Sequence, residues 1–276
     1  MIRVEALSKS FGDVPALDDL SFAADNGQVT GLIGHNGAGK TTTFRILAGL
    51  MRPDTGHGSI DGFDVTGQRV AAQRRLGILP DVRGLYPRLT AREHIRYFGR
   101  LHGLAGAELE DRMARLIDRL GMAEFVDRRA RGFSRGQELK VALARALIHD
   151  PTNLILDEPT NGLDVASARA VHELIRERCA AGSAVIISSH IMGEVAALCD
   201  KLVIIAEGRV LLAGSPDEVH RRTGLDSLEE IMLSATVGRE AAECARSMPA
   251  GGGGCGPCSP RKCATTAATS GRSCCR

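Results

Sequence analysis

Residues 34–44 read Gly34-His35-Asn36-Gly37-Ala38-Gly39-Lys40-Thr41-Thr42-Thr43-Phe44. Their first eight positions fit the pattern G-x-x-x-x-G-K-[ST]. Small residues let the backbone curl, so that successive N–H groups point inward at phosphate oxygens. Lys40 adds a compact positive charge for the β- and γ-phosphates, and the Thr41 hydroxyl can ligate Mg²⁺. Upstream, QVTGLIG reads as a strand that runs straight into the loop. Downstream, TTTFRILAGL reads as a helix, with Phe44, Leu47 and Ala48 at helical spacing and Gly49 near its end. That helix offers its positive end to the same phosphates. Strand, glycine loop and helix together predict a nucleotide site over Gly34 to Thr42.

The segments around this unit extend the pattern. IRVEAL, near the N-terminus, and RLGILP, residues 75–80, read as strands, the second stopped by Pro80. NLILD, AVIIS and KLVIIA are apolar runs without alternation, as expected of strands buried on both faces of a parallel sheet. VASARAVHELIRERCAA and HIMGEVAALC supply helices between them. The character changes from about residue 88. Ala91, Ile95, Phe98 and Leu101 share one helical face, as do Leu109, Met113, Leu116, Ile117 and Leu120. Residues 88–131 are therefore expected to be all-helical, with a further helix in ELKVALARALI. The expected fold is α/β, with a mainly parallel sheet and an inserted helical subdomain at about 88–134. The main domain is expected to span 2–237.

Composition narrows the class. The chain has 276 residues, 43% apolar and 25% charged, enough for a real core. Its net charge is +2, from 35 basic and 33 acidic residues. Nucleic-acid binding is not expected of so balanced a chain. No apolar run reaches the roughly 18 residues of a membrane span, and MIRVEALSKSFG lacks the pattern of a signal peptide. A cytoplasmic location is expected, with attachment to a membrane only through a partner. Cys179 and Cys199 lie in helix-like stretches and read as small buried residues.

Two acids mark a hydrolytic end. Leu154-Ile155-Leu156-Asp157-Glu158 is an apolar strand that closes on paired carboxylates. Asp157, at the strand's C-terminal edge, can hold Mg²⁺ directly or through water, and Glu158 can polarise an attacking water. His190 follows the strand Ala184–Ser188 at a parallel edge, where α/β sheets collect ligands.

With these pieces in place, the chain resembles the ATP-binding subunit of ABC transporters. Phe133-Ser134-Arg135-Gly136-Gln137 looks like that family's LSGGQ signature, with Phe for Leu and Arg for the first Gly. Asn161-Gly162-Leu163-Asp164 resembles the loop that follows the catalytic glutamate. Phe11 stands where an aromatic ring stacks on adenine. The resemblance runs from about residue 2 to 237 with the motifs in family order. ILPDVRGLYPRLTAREHIRYFGRLHGL is most similar to ATPases of bacterial exporters with a separate membrane chain, in particular those of sodium-efflux systems.

The resemblance implies ATP and Mg²⁺ as ligands. It implies a head-to-tail homodimer that buries two ATP molecules, each between one chain's phosphate loop and the other's Ser134, Arg135, Gly136 and Gln137. It implies a separate transmembrane permease as partner, with the ATPase peripheral on the inner face of the cell membrane. Ser134 would cap the helix whose positive end faces the opposite γ-phosphate. Thr41, Asp81 and Asp157 would hold the metal; Glu158 and His190 would carry the catalysis.

Two positions depart from the family. Asp81 stands where Gln is usual, and an ionised Asp only accepts where Gln both donates and accepts. Arg135 replaces a signature Gly and is expected to point to solvent. A soluble ABC-type ATPase acting on ribosomes or DNA is the alternative function. Translation members usually carry two ATPase units and DNA-repair members long insertions, neither of which is present. A regulator that does not hydrolyse is disfavoured by Glu158 and His190.

From Gly238 the composition shifts to Gly, Ala, Ser and Cys, and residues 238–276 are expected to be a disordered tail. Cys255-Gly256-Pro257-Cys258 matches a thioredoxin redox pair, but it lacks the βαβ frame that activates such a thiol. With Cys263 it fits no common zinc spacing either.

Overall fold

The structure, a computed structural model, describes residues 1–223; the expected tail at 238–276 lies outside them. The chain begins with strands β1 (Ile2–Phe11), β2 (Val14–Ala24) and β3 (Val29–Ile33), followed by helix α1 (Lys40–Leu47). Next come β4 (Thr55–Ile60), β5 (Phe63–Asp64), α2 (Arg69–Gln73) and β6 (Leu76–Leu79). Three helices follow, α3 (Ala91–Leu101), α4 (Gly106–Arg119) and α5 (Arg135–Leu147). Strands and helices then alternate through β7 (Asn153–Asp157), α6 (Val165–Ala180), β8 (Ala184–Ser188), α7 (Met192–Leu198) and β9 (Lys201–Ala206), ending in β10 (Arg209–Gly214) and α8 (Pro216–Thr223).

The six-stranded sheet has the order β10-β9-β3-β8-β7-β6, parallel throughout except for the β9–β10 hairpin. Its central strands are buried on both faces. Val29, Ile33, Leu154, Leu156, Val185 and Ile187 enter one apolar cluster, shared with α3, α4, α5 and α6. Leu32, Ile155, Ile186 and Ala184 point the other way, into a cluster with α1 and the N-terminal strands. The period of 2 is present, but both of its faces are dry, so these strands read as unbroken apolar runs. The parallel register aligns the C-terminal edges of β3, β7 and β8, with Asp157 opposite Ser188.

A second sheet, of order β2-β1-β4-β5, is wholly antiparallel. Only IRVEAL was legible as one of its strands. Its ladders shift register between Val4 and Leu7 and again near Lys9, and Ala6 and Asp19 sit at φ 49° and 55°. Such bulges break the alternation that marks a half-buried strand.

The inserted segment needs a correction. Helices α3 and α4 form as expected, α3 with a capping box between Thr90 and Glu93. Residues 120–134, however, are turns and not helix. Gly121, at φ 58°, stops α4, and the Met122 amide closes back on Ile117 O at 2.9 Å. The chain then spends its backbone bonds on the loop before α3, Ala130 N to Leu89 O at 2.8 Å and Arg92 N to Val126 O at 2.9 Å. Cys179 is half-buried and Cys199 buried, both as free thiols; burial pushes the Cys199 thiol up to about 12.

Candidate functional site

The phosphate loop is held by close backbone approach. A Cβ at Gly34 would lie 2.5 Å from Ile205 O. At Gly39, where φ is 108°, it would lie 2.6 Å from Leu17 Cδ2 and 2.7 Å from Ala16 O. Only glycine fits either position. The Gly39 carbonyl accepts from both the Thr43 amide (2.9 Å) and the Thr43 hydroxyl (3.0 Å), which ties the loop to the first turn of α1. Lys40 folds back over the loop, and its Nζ donates to Gly34 O and, at 3.2 Å, to His35 O. Burial lowers the ammonium's pKa, opposed by the negative charges of Asp157 and Glu158.

Asp157 and Glu158 close β7. Asp157 is buried and accepts a short hydrogen bond from the Ser188 hydroxyl on the neighbouring strand. Glu158 adopts φ 52°, a left-handed backbone unusual for a residue with a Cβ. Its amide donates to Ser188 O and Ser188 Oγ, each at 3.2 Å. Its carboxylate Oε2 lies 2.8 Å from His190 Nδ1. Burial raises the Glu158 pKa, and the hydrogen bond to His190 partly offsets that rise.

One open cavity of about 960 Å³ joins these groups. Phe11, Gly34, His35, Asn36, Gly37, Gly39, Lys40, Thr41 and Thr42 line it on one side, and Asp81, Asp157, Glu158 and His190 on the other. Phe11 lines it and is 49% exposed, with the Lys9 ammonium 6.0 Å from the ring centre. Thr41, Asp81 and Asp157 present only oxygen donors, which suits a hard cation such as Mg²⁺. Ala38 is the exception in the loop. It is buried, its amide donates to His35 O at 3.1 Å, and it does not line the cavity.

The signature-like segment also lies outside this cavity. Ser134 caps α5, accepting from the Gln137 amide at 3.2 Å, while the Gln137 side chain accepts from the Ser134 amide at 3.1 Å. A Cβ on Gly136 would sit 3.2 Å from Gly162 O, so the helix start packs on the loop 161–164. Arg135 is exposed, as expected, and borders a separate cavity of about 730 Å³ that also touches Asp81 and Asn161.

A sequence model described as "ABC transporter" matches residues 17–161. The chain belongs to the ABC transporter family. It is an ATP-binding, ATP-hydrolysing subunit of that family. It is 41% identical over 242 residues to the ABC transporter ATP-binding protein NatA of Bacillus subtilis, covering 86% of this chain and 98% of that one. It is 37% identical over 230 residues to the Nod factor export ATP-binding protein I of Ralstonia nicotianae, covering 83% of this chain and 72% of that one. A solved ATP-binding subunit of an ABC transporter superposes with a TM-score of 0.81 at 34% identity, covering 86% of this chain and 99% of that one. Among the described residues of this ABC ATPase, no helix is long and apolar enough to cross a membrane.

Sequence reasoning missed several residues of the site. Ser188 holds Asp157, and Ser189, Ala16 and Met192 line the cavity. Arg83 donates to the carbonyls of Pro80, Asp157 and Glu158. Serine at a strand end and arginine in a loop carry no pattern of their own. Only the register of β7 beside β8, and the path of the loop after β6, bring them to the acids.

Proposed function

We propose that this ATPase drives a bacterial exporter whose membrane-spanning subunit is a separate chain, with sodium as the exported ion. The exporter reading is supported by the 41% identity to NatA and the 37% identity to a Nod factor export ATP-binding protein. The choice of sodium rests on the resemblance of residues 78–104 to the ATPases of sodium-efflux systems. The observation that carries the nucleotide chemistry is the single cavity holding phosphate loop, Asp157, Glu158 and His190 while leaving out Ser134–Gln137. A site with its signature segment elsewhere is one that a second copy would complete, head to tail.

In this reading Phe11 stacks on adenine, and Gly34 to Thr42 wrap the phosphates. Lys40 exchanges its Gly34 and His35 carbonyl partners for β- and γ-phosphate oxygens. Thr41, Asp81 and Asp157 would hold Mg²⁺, which would supply positive charge to neutralise the phosphates. Glu158, ionised, orients and polarises the attacking water, and His190 fixes its carboxylate. The start of α5, capped by Ser134, faces the γ-phosphate of the partner copy. Cleavage of the terminal phosphate removes that bridge, and the dimer opens and moves the permease. The subunit then works peripherally on the inner face of the membrane and has no nucleic-acid partner.

The test is a pull-down of tagged E158Q protein with ATP from detergent-solubilised cells of its own source, read by mass spectrometry. Enrichment of one multi-spanning membrane protein supports the exporter motor, and sodium flux through the reconstituted pair tests the ion. Enrichment of ribosomal or DNA-associated proteins instead overturns it.

A further inference from the structure

We propose that Arg83 is a positioning residue for the Glu158 carboxylate and that Arg145 holds Arg83 in place, linking helices α3 and α5 to the hydrolytic acid. The inference rests on the reading of Glu158 as the group that polarises water. Among the described residues, every hydrogen bond of these two guanidinium groups goes to a main-chain carbonyl. Arg83 Nη1 donates to Pro80 O and, at 3.4 Å, to Asp157 O, and its Nη2 donates to Glu158 O at 3.2 Å. Arg145 Nη1 donates to Arg83 O at 3.2 Å and Gly84 O at 3.4 Å. The Arg145 guanidinium lies 4.1 Å from the centre of the Phe98 ring of α3.

The physical need for such a clamp is the backbone at Glu158. Its φ of 52° costs energy for a residue with a Cβ, so the peptide relaxes unless its neighbours over-determine it. Ser188 takes the Glu158 amide from the sheet side. Arg83 takes the Glu158 carbonyl from the opposite side, where Asn161 N donates as well at 3.3 Å. His190 takes the side chain. The planar fork of arginine reaches the carbonyls before and after the Glu158 Cα, those of Asp157 and Glu158, which a compact ammonium does not match in geometry. Arg145, seated on α5 against a ring of α3, fixes where that fork starts. A shift of α3 against the sheet is thereby felt at the Glu158 backbone through two arginines. A displacement of about 1 Å at a reacting group can cost about 100-fold in rate.

The test is steady-state ATPase activity of the full chain in wild type, R83Q, R83K, R145Q and R83Q/R145Q, with ATP affinity and thermal melting read alongside. The expected result is a kcat for R83Q lower by about 10- to 100-fold, as for loss of a group that orients an active-site ligand. The KM for ATP is expected to stay within about threefold, because the phosphate loop is untouched. R83K should fall between, with a single donor nitrogen in place of the fork. R145Q should lower kcat alone and add little to R83Q, since both act on one element. Wild-type kcat in a folded R83Q overturns the proposal, and independent, multiplicative losses in the double variant overturn the Arg145 link. If R83Q loses its melting transition, R83K decides: a lowered kcat supports the clamp and a wild-type kcat overturns it. Wild-type protein without ATPase activity would instead refute the reading of Glu158.

Discussion

His190 Nδ1 and Glu158 Oε2 lie 2.8 Å apart at the edge of the central sheet, a histidine from the end of β8 fixing a carboxylate from the end of β7. The side chains differ in exposure, 65% for His190 and 18% for Glu158. The carboxylate thus sits in a drier place than its partner, and the histidine reaches inward to it. E158Q is expected to lower kcat by about 10² to 10⁴, the range for losing a general base. H190A should cost less, since the carboxylate remains. Phosphate release at saturating ATP measures both.

The raised pKa of Glu158 makes activity pH-dependent in a stated direction. The base works ionised, so kcat/KM, which reports the free enzyme, falls as pH falls, with its midpoint above the 4.5 of an unperturbed glutamate. The His190 bond opposes the rise, so H190A moves the midpoint to still higher pH. An unchanged midpoint in H190A would show that His190 does not hold the carboxylate.

Stability carries the same sign. A carboxyl whose folded pKa exceeds its unfolded value binds its proton more tightly when folded. The folded state loses stability as pH rises through the window from 4.5 to the raised value. E158Q cannot ionise and should melt at a higher temperature than wild type at neutral pH. Below pH 4.5 that gain should vanish. Thermal melts of the nucleotide-free protein at the two pH values check this.

Gly39 tests the phosphate loop. Its φ of 108° and the Leu17 and Ala16 atoms within 2.7 Å of a would-be Cβ leave no room for alanine. G39A should abolish binding of a fluorescent ATP analogue while the sheet core still melts cooperatively. Retained binding would mean that the loop re-forms without a left-handed residue at this point.

Asp81 tests coupling. It lines both the nucleotide cavity and the one bordered by Arg135, and ABC ATPases usually place Gln there. D81A is expected to lower transport by the reconstituted complex more than basal ATPase activity. Equal, wild-type values for both would leave Asp81 without a coupling role.

The sequence by itself determined the parts that are local. The phosphate loop is one continuous segment, and its chemistry needs only the backbone of Gly34–Gly39, Lys40 and the helix start. Strands β3, β7, β8 and β9 were legible because burial on both faces favours apolar residues at successive positions, with the polar ones mostly at the strand ends. The cap at Ser134 was legible because its partner lies three residues away. Tertiary structure decided what depends on distant neighbours. The antiparallel sheet escaped notice because its bulges erase the alternation and its pairing spans tens of residues. Residues 120–134 carry apolar side chains that suit a helix, yet Gly121 and the backbone of residues 87–92 draw them into turns. Ser188 on Asp157, and Arg83 on the carbonyls of Asp157 and Glu158, join segments 31 and about 75 residues apart. No local pattern encodes such a contact, because its energy is realised only once the sheet register and the loop after β6 have brought donor and acceptor together.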